Sequence, residues 1–218
     1  MASVLITSER QEPLASLLRD RGLHVIHEAF VTRMATKEEP PVGRPDCVLV
    51  TSSAVARFKR DLVNHIGHGR VVAVGESTAR SLAAIGVTVH TVGDSGGVEA
   101  FRLLELQDRE VCWYVGAERP SQGLLEVLES AEVRRWSVYR TLHVEAPNAL
   151  ATDRADVVCF TSGSAATSYA RAFGVPTCAV AVLGMTTADV AQNLGMRVSA
   201  VAERPTLEAL ADAIMELT

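Results

Sequence analysis

The chain has 218 residues and a formal net charge of −5, and 48% of its residues are hydrophobic and 22% charged. This composition is typical of a globular protein and argues against a disordered, collagen-like or coiled-coil chain. The acidic charge and the lack of a basic run argue against a nucleic-acid partner. The length fits one large domain or two of ordinary size.

No apolar run reaches the ~18 residues that a membrane span needs, so we expect no membrane partner. The first residues lack the basic start and long apolar core of a signal peptide. The cysteines stand far apart, without the spacing of a metal site; they are Cys47, Cys112, Cys159 and Cys178. We therefore expect reduced core cysteines in a cytoplasmic protein.

Short runs rich in β-branched residues recur along the chain and predict strands. They cover residues 4–6, 48–50, 71–74, 87–89, 111–115, 157–160, 180–183 and 198–201. Segments of helical spacing lie between them, and some end at Gly22, Gly86 and Gly195, where a left-handed glycine would end the helix. This alternation predicts a doubly wound α/β fold of the flavodoxin-like kind, with parallel sheets.

The second half of the sequence resembles the first. When Tyr139 is aligned with Phe30, the same displacement aligns Gly184 with Gly75, and matches continue along the chain. This register indicates an internal duplication.

Two polar segments that contain proline, residues 32–45 and 140–148, occupy related positions in the two halves. The first segment can form neither a helix nor a central strand, because it contains three prolines, Pro40, Pro41 and Pro45. We therefore expect two domains joined by two chain segments.

Loops rich in hydroxyl groups and small residues follow the predicted strands. They are Thr51-Ser52-Ser53-Ala54, Gly75-Glu76-Ser77-Thr78, Thr161-Ser162-Gly163-Ser164 and Gly184-Met185-Thr186-Thr187. Each should open a helix, whose free N–H groups attract anions at the carboxyl edge of the sheet. A single loop of this kind is explained as well by simple helix capping, but the set of equivalent loops favours anion binding.

Several common site motifs are missing. The sequence has no GxxxxGK[ST] phosphate loop, no GxGxxG after a strand and no GxSxG nucleophile turn. Two His-x-x-His pairs occur. His24 and His27 would face opposite sides of a strand, and His65 and His68 lie in a predicted loop. We expect no metal and no nucleotide cofactor.

Tyr139 ends the segment 134–141, where the chain should leave one domain for the other. It is either a chemical group that faces a ligand or an aromatic that packs at a hinge, as Phe30 would at the matching position. The spacing leaves both interpretations open.

With these motifs in order, the sequence resembles the uroporphyrinogen-III synthase family. The segments that carry the resemblance are 50–55, 74–79, 138–141, 160–164, 182–188 and 202–210. The resemblance implies two flavodoxin-like parallel-sheet α/β domains joined by a two-stranded β-ladder linker. Domain 1 would be discontinuous, residues 1–33 plus 144–218. Domain 2 would be inserted, residues 36–140, with linkers at about 30–37 and 139–146.

The implied reaction is the cyclisation of hydroxymethylbilane, a linear tetrapyrrole, to uroporphyrinogen III. Ring D is inverted and water is lost, without a cofactor or metal, in the cleft between the domains. Tyr139 matches the family's linker tyrosine and would act as an acid or hydrogen-bond donor for the departing hydroxyl. The four loops would bind the substrate carboxylates. Arg33, Arg140 and Arg171 either add positive charge there or are simply solvated.

The chain departs from the family pattern at Thr7-Ser8-Glu9-Arg10, where the family often has Thr-Arg-Pro, and at Ala29-Phe30, where it often has a proline. These departures concern the N-terminal substrate contacts more than the fold. The alternative is that the chain is a non-catalytic two-domain protein, either one that binds an anion or a tetrapyrrole or a regulatory protein. No repeated apolar surface helix demands a partner, so we expect a monomer.

Overall fold

The computed structural model describes residues 1–94, 96–131, 133–145, 147–148 and 153–218. Its strands are β1 Ser3–Ile6, β2 His24–His27, β3 Val31–Ala35, β4 Cys47–Val50, β5 Arg70–Ala73, β6 Thr91–Val92, β7 Cys112–Ala117, β8 Arg134–His143, β9 Val157–Phe160, β10 Ala179–Val182 and β11 Ala200–Val201. Its helices are α1 Leu14–Asp20, α2 Ala54–Phe58, α3 Leu62–Ile66, α4 Glu76–Ala83, α5 Gly97–Arg102, α6 Gln122–Ser130, α7 Gly163–Phe173, α8 Met185–Asn193 and α9 Leu207–Met215. Within the described ranges, no helix has the length and apolar character that a membrane crossing requires.

Contacts divide the chain into two compact units. Unit 1 comprises Met1–Arg33 and Leu142–Thr218, and unit 2 comprises Met34–Thr141. The end of the predicted linker 139–146 and residues 149–152 of the predicted first domain lie outside the described residues.

The first sheet consists of five parallel strands in the order β11-β10-β9-β1-β2. Its central strands are buried on both faces. In β1, Leu5 packs into one core cluster, whereas Val4 and Ile6 pack into another. The carboxyl ends of these strands therefore meet at one edge, since parallel strands all point the same way.

The second sheet has six strands in the order β3-β8-β7-β4-β5-β6. The strands from β8 to β6 are parallel. β3 runs opposite to β8, because Val144 N–H donates to the Phe30 carbonyl and Thr36 N–H donates to the Val138 carbonyl. The sheet is therefore mixed, and the predicted α/β class is confirmed.

Glycines end three of the predicted helices, as expected. The backbone φ angles are 81° at Gly22, 81° at Gly86 and 82° at Gly195. All three lie in the left-handed region, which glycine adopts without a steric penalty. The chain can thus turn from each helix toward the next strand.

The predicted strand at residues 87–89 is wrong. Pairing with β5 starts only at Thr91, opposite Val72. The cause is His90, whose Nδ1 accepts the Val71 N–H at 3.0 Å and so occupies the donor that a longer strand would use. Ser199 does the same at the matching position, where its hydroxyl accepts the Val180 N–H, and β11 is shortened likewise.

Candidate active site

Two of the predicted loops meet at the carboxyl edge of the second sheet. β4 and β5 are neighbours, with Val50 opposite Ala73. Thr51-Ser52-Ser53 therefore leads into α2 beside Gly75, the residue before α4. Both loops open helices, as predicted, at the edge where ligands of open α/β sheets bind.

The first sheet brings the other two loops together in the same way. β9 and β10 are neighbours, with Phe160 opposite Val182. Thr161-Ser162 leads into α7, and Gly184 leads into α8. Met185, the first residue of α8, is 65% exposed. The duplicated loops thus occupy equivalent places in the two sheets.

The hydroxyl groups of these loops differ in accessibility. Ser77 and Thr186 are exposed in the first turns of α4 and α8, whereas Thr78 and Thr187 are buried. Neither helix has a side-chain cap at its glycine N-cap. Ser77, Thr186 and the first backbone N–H groups are therefore the groups that could meet an anion.

α7 starts differently, because its N-terminus is capped. The Ser162 hydroxyl accepts the Ala165 N–H at 3.4 Å and lies 3.1 Å from the Ser164 hydroxyl. Gly163 is tightly packed, since a Cβ at this position would lie 2.8 Å from a methyl carbon of Val190. The small residue at Gly163 thus lets α7 pack closely against α8.

Tyr139 is buried within β8, at the residue where the pairing with β7 ends. Its ring stacks on Phe58 with 5.8 Å between centroids, and it belongs to the core cluster that contains Trp136 and Val138. Its carbonyl accepts the Glu118 N–H at 2.8 Å. Tyr139 is 5% exposed, so the packing role that the sequence left open is present, and a chemical role would have to use the small accessible part.

Tyr114, which the sequence analysis passed over as part of a strand, also reaches this edge. Its hydroxyl accepts the Ala117 N–H at 3.0 Å. Burial raises the pKa of Tyr114 to about 12. In the sequence, the pattern Tyr114-x-Gly116 is the feature that could have indicated this contact. Glycine is needed there because a Cβ at position 116 would lie 2.3 Å from the Tyr114 hydroxyl.

Acidic and basic groups share the edge of the first sheet. Arg33 Nη1 lies 3.3 Å from Glu9 Oε2, in the loop that departs from the family pattern. Arg33 Nε is buried and finds no hydrogen-bond partner among the described residues. Arg140 and Arg171 are exposed. Of these three arginines, Arg33 is therefore the one whose guanidinium is held by an ion pair, with Glu9.

The histidines make protein contacts. His27 Nε2 lies 2.8 Å from the Ser8 carbonyl. His65 lies on α3 rather than in the predicted loop, because Leu62 and Ile66 bury one face of that turn. Its ring packs edge-on against Trp136, and its Nε2 lies 3.1 Å from Asp61. Over the described part of the chain, no group of three or more potential metal ligands comes together.

A family model described as "Uroporphyrinogen-III synthase HemD" matches residues 12–212. The chain belongs to the uroporphyrinogen-III synthase family. Two solved structures share its fold, each at 18% identity and a TM-score of 0.67. One is a mutant uroporphyrinogen III synthase from the extremely thermophilic bacterium Thermus thermophilus, matched over 100% of this chain and 98% of that one. The other is uroporphyrinogen-III synthetase from Helicobacter pylori, matched over 100% of both chains.

A search of curated protein sequences finds no match. The family match nevertheless spans all four loops, Tyr114 and Tyr139. As a uroporphyrinogen-III synthase, the chain is a cyclising lyase of porphyrin and haem biosynthesis. Its substrate class is a tetrapyrrole.

Proposed function

We propose that the chain converts hydroxymethylbilane to uroporphyrinogen III, with inversion of ring D, loss of water and no cofactor or metal. The family match over residues 12–212 carries this proposal. The paired loops at the carboxyl edges of both sheets support it, because the substrate is a polycarboxylate and helix N-termini attract carboxylates.

The proposed architecture is two flavodoxin-like domains, residues 1–33 with 144–218 and residues 36–140. The division of contacts into two units supports it. β3 and β8 would form the ladder between them, over about 30–37 and 139–146. Their antiparallel hydrogen bonds, at Phe30 with Val144 and at Thr36 with Val138, support this assignment.

Substrate carboxylates would be held by backbone N–H groups and hydroxyls rather than by a basic surface. In unit 2 the groups come from Thr51, Ser52 and Ser53 and from the Gly75 loop with Ser77. In unit 1 they come from 161–164 and from the start of α8. A local partial positive charge at a helix N-terminus acts at short range, so a net charge of −5 does not prevent binding of a polyanion.

The chemistry requires the hydroxyl of hydroxymethylbilane to leave as water, which gives an azafulvene cation. The far pyrrole then attacks through its substituted carbon, and the spiro intermediate fragments and recloses with the ring inverted. Tyr139 would donate a hydrogen bond to the departing oxygen. The loops would hold the flexible chain in one curled geometry, which matters because unguided closure favours the uninverted ring.

We further propose that the chain acts as a cytoplasmic monomer without a nucleic-acid partner. The cysteines support a reducing compartment, since Cys47, Cys112 and Cys159 are buried and free. The acidic net charge argues against nucleic acid. Light scattering of the purified protein tests the oligomeric state directly.

The decisive experiment supplies hydroxymethylbilane to the purified chain and separates the isomers after oxidation to porphyrins. We expect the III isomer, formed faster than the spontaneous I isomer. Formation of the I isomer alone would overturn the catalytic proposal. Binding of hydroxymethylbilane without conversion would favour the alternative, a non-catalytic tetrapyrrole-binding protein.

A further inference from the structure

The backbone of β8 contains an irregularity next to Tyr139. β7 and β8 pair regularly until Gly116 lies opposite Ser137, and then Ala117 lies opposite Tyr139. Val138 is therefore an extra residue in β8, a β-bulge. Bulges redirect a side chain, because they interrupt the alternation of faces along a strand.

The bulge determines the face on which Tyr139 lies. Without it, Tyr139 would point to the face opposite Trp136 and Val138. With it, all three side chains pack in one core cluster, and Phe58 stacks on the Tyr139 ring. The face on which the Tyr139 ring packs thus depends on one extra residue in the backbone.

The Tyr114 hydroxyl hydrogen-bonds to Ala117, the last residue of its own strand β7, which lies opposite Tyr139 in β8. It accepts the Ala117 N–H at 3.0 Å, and its oxygen lies 3.4 Å from the Ala117 carbonyl oxygen. A Cβ on Gly116 would lie 2.3 Å from that oxygen, so only glycine leaves room for it. One hydroxyl therefore fixes the backbone opposite Tyr139.

Tyr114 is 0% exposed, so it does not itself touch a substrate. Burial raises its pKa to about 12, which keeps the hydroxyl protonated over the range in which enzymes work.

We infer that Tyr114 is a positioning residue of the reaction, whose hydroxyl holds the Ala117 backbone opposite the bulge that aims Tyr139. The inference rests on the proposed function, because it requires Tyr139 to assist hydroxyl departure. Tyr114 would thus contribute to the reaction although it contacts neither substrate nor solvent. Gly116 would serve to leave room for its hydroxyl.

The test is a double-mutant cycle on kcat for formation of the III isomer. Tyr114→Phe removes only the hydroxyl, and we expect kcat to fall about tenfold while KM changes by less than about twofold, because a small misplacement of a reacting group is costly. In a Tyr139→Phe background the same substitution should change kcat by less than about twofold, since the group that it aims is gone.

Tyr169→Phe is the matched control, because it removes the hydroxyl of another buried tyrosine, far along the chain in unit 1. It should leave kcat unchanged. Thermal unfolding of each variant shows whether it is folded. Should Tyr114→Phe not fold, Gly116→Ala displaces the same hydroxyl, since its Cβ would lie 2.3 Å from the Tyr114 oxygen, and it should lower kcat only when Tyr139 is present.

Equal losses of kcat with and without Tyr139, or no loss on removing the Tyr114 hydroxyl, would overturn the inference. Failure of the proposed function is a separate result, since the unmodified chain would then yield no III isomer. If the unmodified chain is active and Tyr139→Phe alone lowers kcat, Tyr139 keeps its role and Tyr114 loses its own.

Discussion

The carboxyl edges of the two sheets carry the same pair of loops but different aromatic side chains. In unit 1, Phe30 packs against Tyr169 with 5.1 Å between ring centroids and against Phe173 with 5.8 Å. In unit 2, the matching Tyr139 stacks on Phe58, next to the bulge in β8. One edge therefore ends in a purely apolar ring and the other in a phenol.

This difference separates binding from chemistry. Both halves of the duplication keep hydroxyl-rich helix starts, which suit carboxylates wherever they occur. Of the two matching positions, Phe30 and Tyr139, the second carries a phenol, and the Tyr114 hydroxyl accepts the N–H of Ala117, which lies opposite Tyr139. We therefore expect a change at Tyr139 in unit 2 to lower turnover, and a change at the matching Phe30 in unit 1 to lower stability.

The largest expected effect follows from removing the Tyr139 hydroxyl. Tyr139→Phe keeps the stacked ring and should lower kcat for the III isomer by about 100-fold, because a positioned proton or hydrogen-bond donor contributes that order of rate. Steady-state kinetics with isomer separation measures it. Retention of full turnover would assign hydroxyl departure to another group, such as a carboxyl of the substrate.

The matched change in unit 1 is Phe30→Leu. Phe30 is fully buried among aromatic rings, so the smaller side chain should cost about 1–2 kcal/mol of unfolding free energy. It should leave kcat within about twofold in the folded protein. Urea unfolding and the same kinetic assay give both values, and a kcat loss like that of Tyr139→Phe would erase the contrast between the edges.

The loops were predictable from sequence because their signals are local. A hydroxyl or glycine directly after a β-branched run marks a helix start, and neighbouring parallel strands necessarily end together. The structure places Thr51 beside Gly75 and Thr161 beside Gly184, as this reasoning expects. What the loops bind stays a prediction.

The Tyr114 arrangement was not predictable, because it depends on register. Nothing in the run 111–115 shows that a hydroxyl will reach past Gly116 to the Ala117 backbone, or that β8 contains an extra residue. The wrong strand at 87–89 has a similar origin, since a single ring nitrogen of His90 decides where pairing starts. Side-chain capture of a backbone N–H follows from tertiary contacts rather than from periodicity.

Alkaline pH should lower the unfolding free energy through one buried tyrosine in each unit, Tyr114 in unit 2 and Tyr169 in unit 1. Burial raises the pKa of Tyr114 and that of Tyr169 to about 12, against 10.0 for the free side chain. Because the raised pKa favours the neutral form in the folded state, the stabilisation is complete below pH 10 and is lost as the pH rises toward 12. Each tyrosine should account for about 3 kcal/mol over the full range, since one pKa unit corresponds to about 1.4 kcal/mol.

Unfolding in urea at pH 8 and pH 11, with tyrosinate absorbance, measures this loss. Tyr114→Phe and Tyr169→Phe should each reduce the pH dependence by a similar amount, about 1.4 kcal/mol between pH 8 and pH 11. The buried thiol of Cys159, whose pKa burial also raises to about 12, contributes separately. The sequence contains three tyrosines. If all of them ionised near pH 10 in the folded protein, the burial argument would be wrong for both units.

The smallest expected effect concerns how the helices at the two edges begin. Ser162 caps α7 with its hydroxyl, whereas Ser53, the residue before α2, makes no side-chain cap bond. Ser162→Ala should therefore cost about 1 kcal/mol of unfolding free energy and Ser53→Ala less than about 0.5 kcal/mol. Chemical denaturation resolves the difference. Equal, small costs would mean that the Ser162 bond, at 3.4 Å, contributes little to the stability of α7.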